Sequence, residues 1–86
     1  MKATLLNIRN FYSSKKDRDY TVIQYLRQLT PSEQNERGYI GFSICEETFV
    51  PDNLVNTFKD SDVDKEIDLQ YSIIGGKAVL DNIVVK

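Results

Sequence analysis

Gly75-Gly76 lies between two runs rich in Ile, Val, Leu and Tyr, and this arrangement restricts what the last quarter of the chain can become. Two adjacent glycines supply the positive φ angles that a tight type I′ turn requires, so Glu66 to Lys86 reads as a β-hairpin. With the glycines as the loop, Ile74 faces Lys77, Ile73 faces Ala78, Tyr71 faces Leu80 and Ile67 faces Val84. One side then gathers Ile67, Leu69, Tyr71, Ile73, Ala78, Leu80 and Val84, interrupted only by Asn82. The other side carries Asp68, Gln70, Ser72, Lys77 and Asp81, but also Val79, Ile83 and Val85. A final strand that is apolar on both sides asks for cover on both, as in a small closed barrel.

The chain of 86 residues is read as a single domain, 1–86, too small for separate substrate-binding and catalytic layers. Its hydrophobic fraction of 41% argues against wholesale disorder. With one cysteine, Cys45, and no histidine, neither an internal disulfide nor a familiar zinc set can form, and histidine-based catalysis is excluded. No run approaches the roughly 18 apolar residues that span a bilayer, so no membrane association is expected. Met1 to Asn7 soon reaches polar residues instead of a signal-peptide core, and the expected location is the cytoplasm, or that of a host cell if the chain is phage-encoded.

The net charge of −2 conceals a polarised chain. Residues 1–45 hold seven basic and four acidic side chains, whereas residues 46–76 hold two basic and eight acidic ones. One end can offer a positive surface while the other keeps the molecule soluble.

Lys2 to Tyr12 reads as a strand with Leu6 and Ile8 inward and Asn7, Arg9 and Phe11 outward. Leu5 then falls on the wrong side, which a bulge or burial on both faces would explain. Ser13 to Asp19 is a loop or hairpin tip. Tyr20 to Leu29 is a second strand, with Val22 and Leu26 expected inside and Tyr25 and Arg27 outside. Thr30-Pro31-Ser32-Glu33 has the form of a capping box with proline at the first helical position, so one helical turn is expected within Thr30–Arg37. Gly38 to Thr48 alternates as a third strand, with Ile40, Phe42 and Ile44 toward the core and Tyr39, Gly41, Ser43 and Cys45 away from it. After Pro51, Asp52 caps a short helix that presents Leu54 and Phe58 on one face as a plug. Lys59 to Lys65 is an acidic loop.

Three strands, a short helix and a closing hairpin give a mainly β chain. This is the element order of an OB-like five-stranded Greek-key barrel whose helix lies between strands 3 and 4, with an SH3-like or other small barrel as the alternative.

The closing run Ser72-Ile73-Ile74-Gly75-Gly76-Lys77-Ala78-Val79-Leu80-Asp81-Asn82-Ile83-Val84-Val85-Lys86, together with a Tyr-rich basic hairpin in the first half, resembles the small single-stranded-DNA-binding proteins of filamentous phages, the gene-five type. It also resembles OB-fold accessory proteins of phage and conjugative-element replication. The resemblance covers about a quarter of the chain directly and the remainder by element order. It implies cooperative, largely sequence-independent coating of single-stranded DNA, or of RNA, by a homodimer, with a replication protein as a further partner and no cofactor.

The residues themselves must support such binding. Single strands require aromatic planes for bases to stack on and cations that track phosphates. The candidate planes are Phe11, Tyr12, Tyr20, Tyr25 and Tyr39; the candidate phosphate contacts are Arg9, Lys15, Lys16, Arg18, Arg27 and Arg37. Gly41 would allow close approach to the sheet. Each has a plainer reading. Tyrosines fit half-buried pleated surfaces, strand arginines are often cross-strand charge partners, and Lys15, Lys16 and Arg18 alternate with Asp17 and Asp19 as in a solvated turn. Their coincidence in one half of the chain favours the binding reading.

Catalytic and metal signatures are weak, and the chain reads as no enzyme. Asp60-Ser61-Asp62-Val63-Asp64 opens like a calcium loop, but Lys65 stands where glycine is needed and Tyr71 where a bidentate Glu belongs. Glu46 and Glu47 point to opposite faces of a strand and cannot share a substrate. The rival function is a phage-type interaction or inhibitory module whose acidic 46–68 surface engages a basic partner.

Overall fold

The computed structural model describes all residues, Met1–Lys86. Five strands, β1 (Lys2–Ser13), β2 (Arg18–Gln28), β3 (Ser43–Phe49), β4 (Glu66–Ile74) and β5 (Lys77–Val85), form one antiparallel sheet in the order β3-β2-β1-β4-β5. Read from β4, the neighbours β4-β1-β2-β3 are a meander whose fourth strand returns beside the first, the Greek-key order. The barrel expected from the tail does not close. β3 and β5 are free edges, and β1 reaches β4 only over Lys2–Thr4 while pairing with β2 along its length.

The helix also sits elsewhere than expected. Helix α1 (Pro31–Glu36) lies in the β2–β3 connection, where the Thr30 hydroxyl accepts from the Glu33 amide and the Glu33 carboxylate accepts from the Thr30 amide. That capping box is the helix signal read from the sequence. Between β3 and β4 there are only two one-turn 3-10 segments, Asp52–Leu54 and Asp60–Asp62. The first cannot lengthen, because Val55 is extended and Asn56 adopts a positive φ of 60°. Leu54, Val55 and Phe58 nevertheless pack against the core, so the segment acts as a plug without being an α-helix.

Two bulges decide the core. Leu5 pairs with Tyr25 and Asn7 with Gln24, leaving Leu6 as an extra residue. Leu5 and Ile8, three apart, would face opposite ways in a regular strand; the extra residue returns them to one side. Leu5, not Leu6, is the fully buried residue. In the closing hairpin Gly75 and Gly76 take φ of 58° and 78°, and the expected pairs Ile74–Lys77, Ile73–Ala78 and Tyr71–Leu80 form. Asp81 then bulges out, so that Ile67 faces Val85 instead of Val84 and Leu69 faces Ile83. The slip moves Ile83 inward and Asn82 outward, where its amide donates to Gln70. Of the apolar residues that demanded cover on a second face, Ile83 and Val85 are thus turned toward the first, while Val79, before the bulge, stays exposed.

The core comprises Ala3, Leu5, Ile23, Tyr25, Val50, Ile67, Leu69 and Ile83. The expected third strand begins late. Gly38 and Gly41 have positive φ and break the extension, leaving Ile40 fully exposed and Phe42 78% exposed, while Ile44 is half-buried; all three expected core positions are outside the core. Beyond the core the β4–β5 arm continues into solvent with Tyr71, Ile73, Ile74 and Val79 exposed.

Candidate nucleic-acid interface

Side chains alternate across a strand, so β1, β2 and β3 present one face to the core and one away from it. The outward face is built from Arg9, Phe11, Arg18, Tyr20, Val22, Gln24, Glu47 and Phe49. Near the β1–β2 turn, Phe11 and Tyr20 are cross-strand partners with ring centroids 5.7 Å apart and planes 26° from parallel. Phe49 of β3 stands edge-on to Tyr20 at 5.6 Å and tilted to Phe11 at 6.3 Å. Together with Ser13 and Lys16, the three rings line an open depression of about 400 Å³.

Cations border this patch. The Arg9 guanidinium lies 4.8 Å from the Phe11 ring centroid and that of Arg18 lies 5.0 Å from Tyr20, within cation–π range. Strand alternation separates the charges of the tip. Arg18 shares the aromatic face, whereas Asp19, opposite Tyr12, is on the other face. Asp17 turns away to accept a short hydrogen bond from the Tyr12 hydroxyl, which raises the Tyr12 pKa. What reads in sequence as a neutral solvated turn is therefore positive on one side. Arg18 also contacts Asp52 at 2.6 Å, a surface pair of little stabilising value.

The expected binding residues divide into three groups. Arg9, Phe11, Lys16, Arg18 and Tyr20 converge on the outward face, and Lys15 is exposed in the turn beside them. Tyr12, Tyr25 and Arg27 lie on the opposite face. Tyr25 is only 4% exposed and Arg27 is clamped, so the outside positions expected for them are corrected. Arg37 and Tyr39 are exposed in the loop before β3, at the far end of the sheet. That loop meets β2 near Gln28, six residues from Val22 beside Phe49, or about 20 Å along a strand. Gly41 belongs to the same loop, with φ of 128°, and is not a low point in the sheet.

The clamp explains why β2 turns as it does. Arg27 forms a bidentate pair with Glu33 of α1 at 2.7 and 2.8 Å, and its Nε donates to Glu46 of β3. The Arg27 hydrogen bonds, with the Thr30 amide assisting, lower the Glu33 carboxyl from 4.5 to about 2 and also lower Glu46. Glu46 accepts at 3.4 Å from the Tyr25 hydroxyl, whose pKa is raised by burial and then by this carboxylate. These polar tips lie at the rim of the core, which allows the odd-numbered face of β2 to be the buried one.

Phe49 was not among the sequence-derived candidates. The alternation of β3 does signal it, since Ser43, Cys45, Glu47 and Phe49 share a parity, but the strand was expected to end at Thr48. No family model, curated protein or solved structure matches the chain.

Proposed function

We propose that the protein is a non-enzymatic binder of single-stranded DNA that uses the outward face of β1–β2–β3. The observation that carries this reading is the Phe11–Tyr20–Phe49 cluster, open to solvent and bordered by Arg9, Arg18 and Lys16. Exposed contiguous apolar surface on a small protein is a common mark of an interaction site, and a polar cationic border fits a ligand with flat rings on a charged backbone. Stacking tolerates any base, so the platform by itself implies little sequence preference. The acidic segment favours the rival reading less, because Glu46, Asp62 and Asp68 each engage a partner within the chain. Self-association into the expected homodimer belongs to the same proposal, and the exposed Ile73, Ile74 and Val79 of the β4–β5 arm supply apolar surface for it.

Fluorescence anisotropy of labelled oligo-dT at two salt concentrations tests the reading. Affinity should fall as salt rises, through release of counterions from the phosphates. Phe11→Ala or Phe49→Ala should weaken binding by ~5- to 150-fold, the equivalent of about 1–3 kcal/mol for one stacked base. Absence of salt-sensitive binding at micromolar protein would reject the proposal.

A further inference from the structure

One row of side chains below the aromatic platform, Asn7, Gln24 and Glu47 form a hydrogen-bonded line across β1, β2 and β3. Asn7 Nδ2 donates to Gln24 Oε1 at 2.8 Å, and Gln24 Nε2 donates to Glu47 Oε2 at 3.0 Å. With Arg9, and with Val22 buried between them, these residues line a pocket of about 160 Å³. Arg9 and Glu47 both border it yet neither has an ion-pair partner in the chain. Arg9 lies against Phe11, and Glu47 is tethered by Gln24 through one oxygen, which leaves Oε1 without a protein donor.

We infer that this pocket selects guanine within a bound single strand. The inference rests on the binding proposal above and adds a base preference to it. A carboxylate in the groove repels phosphate, so this position admits a base and excludes the backbone. Guanine alone among the DNA bases has two adjacent donors, N1–H and N2–H, to match the two oxygens of a carboxylate. Its other edge offers O6 and N7, the acceptor pair that a guanidinium engages bidentately. Thymine would turn carbonyl oxygens toward Glu47; adenine and cytosine offer it a single amino group. Glu47 and Phe49 are two residues apart on β3, about 7 Å, so a base in the pocket neighbours one on the platform.

The test compares labelled oligo-dT with three versions in which every third thymidine is replaced by dG, dA or dC. The dG version should bind about tenfold more tightly than the other three, at the lower end of what a bidentate base contact contributes. Glu47→Gln, at an exposed position where folding is not at stake, should erase that advantage while leaving oligo-dT affinity equal or higher. Arg9→Lys, which retains the charge but loses the fork, should reduce the advantage. Equal binding of the dG, dA and dC versions, or a dG advantage that survives Glu47→Gln, would overturn the guanine pocket while leaving single-strand binding intact. Failure of every oligonucleotide to bind would overturn both.

Discussion

Tyr20 and Tyr25 stand on the same strand, each with an arginine two residues away, and they meet opposite fates. Arg18 and Tyr20 lie on the open face, stacked on one another and on Phe11, with their remaining surface in water. Tyr25 and Arg27 lie on the other face, the ring sealed in the core and the guanidinium held by Glu33 and Glu46. Composition does not distinguish the pairs; parity along β2 does. On this strand Arg18, Tyr20 and Gln24 face a ligand, with Val22 buried beneath their neighbours, whereas the odd-numbered Thr21, Ile23, Tyr25 and Arg27 face the core side.

The separation can be broken most severely from the core side. Leu69→Ala, at a fully buried position, should cost about 2–5 kcal/mol in urea unfolding and abolish binding only to the extent that the protein unfolds. Arg27→Ala removes the charged donor that Glu33 and Glu46 share and should cost about 2 kcal/mol, with oligonucleotide affinity of the folded fraction unchanged. The reverse outcome, weak binding with full stability, would place Arg27 on the ligand. Tyr20→Ala should act in the opposite sense, reducing affinity by about 1–3 kcal/mol with a smaller change in stability. Tyr25→Phe, measured beside it, should leave affinity at the wild-type level.

A finer test uses acid. Glu33 titrates at about 2 in the folded chain against an ordinary 4.5, so the unfolded state binds its proton first. The stability it contributes is complete above about pH 4.5 and is lost as pH falls toward 2; Arg27→Ala should flatten that part of the unfolding profile. The smallest effect should come from Lys16→Ala on the open face. It should lower the slope of log affinity against log salt by about one and weaken all sequences alike.

Much of the fold was legible where a few adjacent residues decide the outcome. The glycine pair specified its turn and the register nearest to it, and Thr30 with Glu33 specified a helical turn. The anomalous position of Leu5 pointed to the bulge that the structure shows at Leu6. Legibility declined with distance from such signals. Beyond Asp81 the hairpin register slips, because burying Ile83 and Val85 outweighs keeping a regular ladder. Of the candidates named from residue type, Arg9, Phe11, Lys16, Arg18 and Tyr20 meet on one face near the β1–β2 tip, and residue type alone did not separate them from the others. Tyr25 and Arg27 were misplaced because both faces of β2 are mixed in sequence, and only the acidic partners on α1 and β3 show which face is closed.

Local chemistry alone settled the elements whose partners are neighbours in the chain: the two-glycine turn, the capped helical turn, and alternation within each strand. These depend on φ/ψ restrictions and on hydrogen bonds a few residues long. Tertiary packing decided the rest: that the sheet stays open between β3 and β5, that two single-residue bulges redirect strands β1 and β5, and that Phe49 joins Phe11 and Tyr20. Each outcome depends on which distant surface a side chain meets, and one extra residue in a strand reverses every side chain that follows.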